Sequence, residues 1–206
     1  MKRIWLVRHA ESQAQSGDAR GMDTALSERG LEQAQRLRER LADTKFDHIR
    51  ISPLFRTRQT YEAMSVQADF VTFDSRLLEC PFGGTYESLL PYLPLPNYAN
   101  EDPHNSWLSE ATLRARSLVM DIPTWEGKNI LLVGHWGIFS LFLMWFLGHP
   151  SPIEPAMGYT ESSAPVDNAS ISILGYQQKR FGNCIVAWND NRHIEDLLAY
   201  SVRKLP

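Results

Sequence analysis

Cysteine is scarce in this 206-residue chain: Cys80 and Cys184 are the only two, far apart and in no C-x-x-C or zinc spacing. That argues against a disulfide-stapled scaffold or a structural zinc site, and predicts two free thiols in a reducing compartment. Positive charge is short as well. The formal net charge is −3, so no basic excess exists to grip a nucleic-acid backbone. Long apolar runs are missing. The longest, Ile138 to Leu147, is interrupted by Ser140 and is too short to span a bilayer, so it reads as a buried helix. Met1 leads directly into the strand-like Arg3 to Val7, without the apolar stretch and cleavage site of a secretory signal. A cytoplasmic protein that binds neither membrane nor nucleic acid is expected. The chain shows no internal repeat and no low-complexity tract. Its histidines (His9, His48, His104, His135, His149 and His193) make no H-E-x-x-H or similar ligand set, so no metal or other cofactor is expected.

What is present is ordinary globular composition, 43% hydrophobic and 22% charged. The length suits one domain over 1–206 with a core that needs no disulfide or metal. Short apolar runs, read as buried strands, fall at 4–7, 46–51, 70–73, 129–133, 169–174 and 184–188. Between them lie helical patterns. One starts at the N-cap residue Ser27, with Leu31, Ala34, Leu37 and Leu41 as its apolar face. A second opens after Ser52, with Pro53 at its first position. Others cover 109–124 and 137–147, while 10–25 reads as loop. Two proline-rich stretches, 80–107 and 149–167, read as insertions over the core, the first with a short helix at 86–90. Strands alternating with helices predict an α/β three-layer sandwich, a mostly parallel central sheet with helices on both faces.

In such sheets ligands bind at the carboxyl ends of the strands. Arg8-His9 and Gly134-His135 both fall there, each just past a buried strand. A neutral imidazole is a competent nucleophile, and arginine is a planar donor suited to phosphate oxygens. His135 sits between small neighbours, Gly134 and Gly137, that permit close approach. If protonated, it would stabilise charge on a transferring phosphoryl group. Arg56 lies near the start of its helix and can reach over the sheet edge, whereas Arg58, two positions on, points elsewhere. Glu79 follows Leu77-Leu78, and an apolar setting raises a carboxyl pKa toward a general acid's. Together these groups supply what phosphoryl transfer needs without metal: a nucleophile, cations for the equatorial oxygens and a proton donor for the leaving oxygen.

These segments resemble the histidine phosphatase (phosphoglycerate-mutase-like) superfamily. Arg8-His9-Ala10-Glu11-Ser12 is similar to its R-H-G-E/Q-S/T signature. Leu26-Ser27-Glu28-Arg29-Gly30-Leu31-Glu32-Gln33-Ala34 resembles L-S/T-x-x-G-x-x-Q-A, and Ser52-Pro53-Leu54-Phe55-Arg56-Thr57-Arg58-Gln59-Thr60 resembles S-P-L-x-R-x-x-Q-T. Leu77-Leu78-Glu79 with Gly83, Val133-Gly134-His135-Trp136-Gly137, and the closing stretches at 167–170 and 189–194 complete the order. The resemblance implies a phosphoglycerate-mutase-like fold. It also implies His9 as the phosphorylated nucleophile, and Arg8, Arg56 and His135 as the phosphate pocket. Glu79 would be the proton donor that later activates water. Ser12 and Gln15 would be secondary phosphate contacts. Three departures stand out: Ala10 replaces a glycine, which a negative φ would tolerate; Gln15 replaces an asparagine; and Trp136 replaces a small residue, which puts it beside the substrate. Phe139 and Ser140 stand near a position that is often arginine.

The resemblance implies an enzyme and leaves the reaction open. Both branches phosphorylate the same histidine; a phosphatase passes the group to water and a mutase to another hydroxyl. The chain is shorter than the cofactor-dependent mutases, and 80–107 lacks a clear match to their long insertion, so hydrolysis of a small phosphorylated metabolite is expected, with a homodimer compatible. A non-catalytic phosphate-binding module would have lost the nucleophile, an arginine or the acid, and none is lost. Specificity is expected from the proline-rich stretches, with Tyr86, Trp107, Trp136, Met157 and Tyr159 as an apolar wall.

Overall fold

A computed structural model describes residues 1–21, 23–80, 103–148, 165–177 and 182–198. Six strands form one sheet: β1 (Lys2–Arg8), β2 (Phe46–Ile51), β3 (Ala68–Phe73), β4 (Asn129–Gly134), β5 (Ile171–Tyr176) and β6 (Cys184–Asp190), in the order β3-β2-β4-β1-β5-β6. The pairs β3/β2, β2/β4 and β4/β1 are parallel, while β5 and β6 add on antiparallel. The helices are α1 (Gln13–Ser16), α2 (Glu28–Leu41), α3 (Phe55–Met64), α4 (Pro103–Asp121) and α5 (Trp136–Phe146). None of the described helices is long and apolar enough to cross a membrane.

The run Ile130-Leu131-Leu132-Val133 is apolar at consecutive residues because β4 is covered on both faces. Ile130 and Leu132 join Ile4 and Leu6 in a core under α4 and α5. Leu131 and Val133 join Val7, Ile49 and Ile51 in a second core under α2 and α3. This is the expected sandwich: a mixed, mostly parallel sheet between two helical layers.

Several element boundaries differ from expectation, each for a local reason. The stretch 10–25 contains α1, a single turn too short to show periodicity, capped by Ser12 and Gln15. Helix α3 begins at Phe55 with Leu54 as N-cap, so Pro53 lies before the helix, not at its first position. Ser52 follows β2 with its N–H still donating to the Val133 carbonyl at 2.9 Å, and a residue before proline disfavours the helical conformation, so the helix opens only after Leu54. On α2 the buried residues are Gly30, Gln33, Ala34, Leu37 and Leu41, while Leu31 is 43% exposed. At about 100° per residue, Leu31 falls beyond the edge of that arc. Helix α4 starts earlier than 109, at Pro103. Strand β5 starts later than 169, because Ala169 is left-handed (φ 57°) and its N–H turns back to the Arg8 and His9 carbonyls. The helix expected at 86–90, with most of both proline-rich stretches, lies outside the described residues.

Candidate active site

Strand order assembles the site. Strands β1 and β4 are neighbours in register, with Arg8 opposite Gly134, so the residues that follow them emerge side by side. The His9 N–H donates to the Gly134 carbonyl at 2.9 Å, and the rings of His9 and His135 lie 5.1 Å apart between centroids. Both imidazoles are buried. Helix α3 delivers Arg56 between them. Its Nε donates to His9 Nε2 at 3.2 Å, and its Nη2 lies 3.0 Å from His135 Nδ1.

A guanidinium only donates, so both facing nitrogens accept and both tautomers follow. His9 carries its proton on Nδ1 and donates it to the Ala10 carbonyl at 2.8 Å, leaving the Nε2 lone pair in the pocket. His135 carries its proton on Nε2 and donates it to Ser52 Oγ, also at 2.8 Å. Burial, with Arg56 beside both rings, holds each histidine well below the usual pKa of 6.5. A protonated His135 was one reading of the sequence. Desolvation and the neighbouring arginines instead disfavour a further cation there.

Arg8 ends β1. Its Nη1 donates to the Val166 carbonyl at 2.5 Å, and its buried Nε has no hydrogen-bond partner among the described residues. Glu79 is buried too. Its Oε1 accepts from the N–H groups of Cys80 (2.8 Å) and Gly137 (3.0 Å), the latter in the first turn of α5. Burial raises the Glu79 pKa above 4.5, with Arg56, the two N–H groups and Arg8 pulling the other way. A Cβ on Gly137 would stand 2.7 Å from Glu79 Oε1, so the residue there must be glycine for the carboxyl to reach the backbone.

The five residues Arg8, His9, Arg56, Glu79 and His135 therefore converge. Ser12 and Gln15 stand one layer out. The Ser12 N–H and hydroxyl donate to Gln15 Oε1 at 3.0 and 3.2 Å, and the Gln15 amide pairs with the amide of Asn168. Asn168 in turn donates to the His9 carbonyl at 3.0 Å. Ala10 is not among the left-handed residues, so it substitutes for glycine without strain. Arg58 is exposed, over the ring of Phe55, as its spacing implied. Trp136 is half-buried against the α4/α5 core. Phe139 is fully buried beneath Gly134, and the Ser140 hydroxyl donates to the Trp136 carbonyl, so neither supplies a cation. Of the proposed apolar wall, Tyr86, Met157 and Tyr159 lie outside the described residues.

The residue-by-residue reading missed the anchors. Thr60 accepts from the Ala10 N–H and donates to the Arg56 carbonyl. Gln33 accepts from the Glu11 N–H, and Gln59 from that of Leu26. Their signal was a polar residue recurring on otherwise buried faces within the quoted segments.

The family model for the histidine phosphatase superfamily (branch 1) matches residues 4–191. The probable phosphoglycerate mutase GpmB of Erwinia tasmaniensis is 27% identical over 222 residues, covering 95% of this chain and 96% of its own. That of Salmonella arizonae is 27% identical, covering 88% of both chains. Among solved structures, Bacillus stearothermophilus YhfR superposes with a TM-score of 0.70 at 21% identity, covering 95% of this chain and all of its own. The alpha-ribazole phosphatase of Shigella flexneri gives 0.68 at 23%, covering 91% and 96%. These structures share the fold. On the match across nearly its whole length, the chain belongs to the histidine phosphatase superfamily, branch 1.

Proposed function

We propose that the protein is a metal-independent phosphomonoester hydrolase that works through a phosphohistidine on His9. The observation that carries this reading is the His9 tautomer: Nδ1–H is committed to the Ala10 carbonyl, so the Nε2 lone pair is held in a buried pocket beside Arg56.

In the first step His9 Nε2 attacks phosphorus and the bond to the leaving oxygen breaks. Protonated Glu79 gives its proton to that oxygen, and Arg8, Arg56 and His135 hold the equatorial oxygens. In the second step the Glu79 carboxylate takes a proton from water. The water oxygen attacks phosphorus, the P–N bond breaks, phosphate leaves, and Glu79 is protonated again. Ser12, Gln15 and Trp136 contact the phosphate or the remainder of the substrate, a small phosphorylated metabolite. The reading needs no cofactor and no nucleic acid, and the cytoplasmic location expected from the sequence is compatible with it. Pairing of two copies belongs to the same reading.

Phosphoryl transfer within a sugar acid is the second reading, favoured by the GpmB relatives. The two differ in how long the closed site keeps water from the phosphohistidine. A non-catalytic phosphate-binding module is third. The test is hydrolysis of p-nitrophenyl phosphate in chelator by the wild type and by His9→Ala. The expected result is turnover by the wild type and a loss on the order of a thousandfold or more in the variant. Equal activity in the two would overturn the mechanism. If both are inactive, conversion of 3-phosphoglycerate to its isomer identifies a mutase, and its absence leaves the binding module.

A further inference from the structure

The segment that carries Glu79 has no strand to hold it. After β3 the chain makes a 3-10 turn over Ser75–Leu77 and runs to Cys80 beside helix α4. What fixes it there is a set of side chains on one face of α4. Arg114 is buried, with 7% of its surface exposed; among the described residues none of its hydrogen bonds goes to an imidazole, although its charge acts on His135. Its Nη1 donates to the carbonyls of Leu78 (2.5 Å) and Arg76 (3.2 Å), and its Nη2 to that of Glu79 (3.4 Å). Its Nε lies 2.8 Å from both carboxylate oxygens of Glu110, one turn earlier on the helix. In the opposite direction Arg76 reaches from the segment to Ser117 and Asp121 of α4.

We infer that Arg114, braced by Glu110, is the positioning residue for the general acid: it holds the main chain of residues 76–79 so that the Glu79 carboxyl meets the N-terminus of α5 and faces the leaving oxygen. The inference rests on Glu79 being the acid. The physical case is a division of labour within one guanidinium. Glu110 neutralises the buried charge and takes the Nε edge, which frees both terminal nitrogens for main-chain carbonyls. A lysine keeps the charge but cannot span these carbonyls and Glu110 together. Glu79 is then held at two points, its carbonyl by α4 and its carboxyl by α5. The proton donor's reach is set by the distance between two helices.

Purely structural support would slow every substrate alike, and support of the acid would not. Phenyl and p-nitrophenyl phosphate are alike in shape, but phenolate is the poorer leaving group and depends more on protonation. We would measure kcat/KM for both esters in the wild type, Glu79→Gln, Arg114→Lys, Glu110→Gln and the double variant Arg114→Lys/Glu79→Gln. Arg114→Lys should lose roughly tenfold more on phenyl than on p-nitrophenyl phosphate. That selectivity should vanish in the Glu79→Gln background, because the two residues act as one unit. Glu110→Gln should show the same bias more weakly, and it carries the test alone if Arg114→Lys does not fold. Equal losses on both esters in the variant that folds, with Glu79→Gln selective, would sink the inference and spare the acid. A Glu79→Gln variant without selectivity would remove the acid and the inference together.

Discussion

At the scale of single residues, the site sets two titrations against each other. Burial and the neighbouring arginines depress His9, so its Nε2 stays unprotonated well below pH 6.5. Burial raises Glu79, so its carboxyl keeps a proton above pH 4.5. The acid limb of kcat/KM therefore lies below the ordinary histidine range and the alkaline limb above the ordinary glutamate range. The same burial has a cost in stability. A carboxyl whose folded pKa is raised stabilises the fold fully below its unfolded pKa, and that contribution is lost as pH rises through the folded pKa. Glu79→Gln should therefore raise the melting temperature at pH 7 and change it little at pH 4, while flattening the alkaline limb on phenyl phosphate. A variant less stable than the wild type at pH 7 would contradict the assignment. Arg8, His9, Arg56 and His135 were legible because each ends or follows a strand or lies at the start of a helix at the same edge, and Glu79 because a carboxyl follows the apolar pair Leu77-Leu78. The tautomers, the lowered pKa of His135 and the roles of Arg114 and Asn168 were not. Those depend on hydrogen bonds between residues as far apart as His9 and Asn168, which no local pattern encodes.

Among the elements, α2 and the turn after β1 approach each other closely at Gly30. A Cβ placed on Gly30 would stand 2.0 Å from the Glu11 carbonyl oxygen, a backbone atom with nowhere to go. On the same helix Ser27 and Arg29 donate to the Glu11 carboxylate, and Gln33 accepts from the Glu11 N–H. The first two turns of α2 thus dock the turn that follows His9. Gly30→Ala gains helix propensity and still should destabilise by about 1–3 kcal/mol, with a fall in activity as residues 9–11 shift. Urea unfolding checks it against Arg36→Ala, which removes only exposed ion pairs to Glu32 and Asp196 and should cost little. An unchanged midpoint for Gly30→Ala would refute the docking. Glycine at 30 was visible in the sequence as part of a resembling segment, but its reason was not. The clash partner is on another element, and a periodicity argument credits the helix face to Leu31 instead.

Taken as a whole, the molecule divides its sheet by direction. Strands β3, β2, β4 and β1 run parallel, and the candidate site lies at the carboxyl ends of β1, β2 and β4. The antiparallel β5 and β6 close the other side and bring Asn168 and Asp167 back toward Arg8 and His9. Alternating apolar runs and helical faces were enough to read the layers. They could not give strand order, which depends on long-range pairing. A net charge of −3 coexists with a site holding the buried Arg56 and the partly buried Arg8, so the sum says nothing about the local charge there.

The two thiols sit at opposite extremes of this architecture. Cys184 is exposed at the start of β6, while Cys80 is fully buried next to Glu79, where desolvation pushes its pKa up. A maleimide should accordingly label the native protein once and the urea-unfolded protein twice, and Cys184→Ser should leave the native protein unlabelled; mass spectrometry counts the adducts. With the outer thiol gone, Cys80 becomes a clock. The slow rate at which it consumes reagent measures how often the segment beside the acid opens to solvent, a motion that turnover itself would never display.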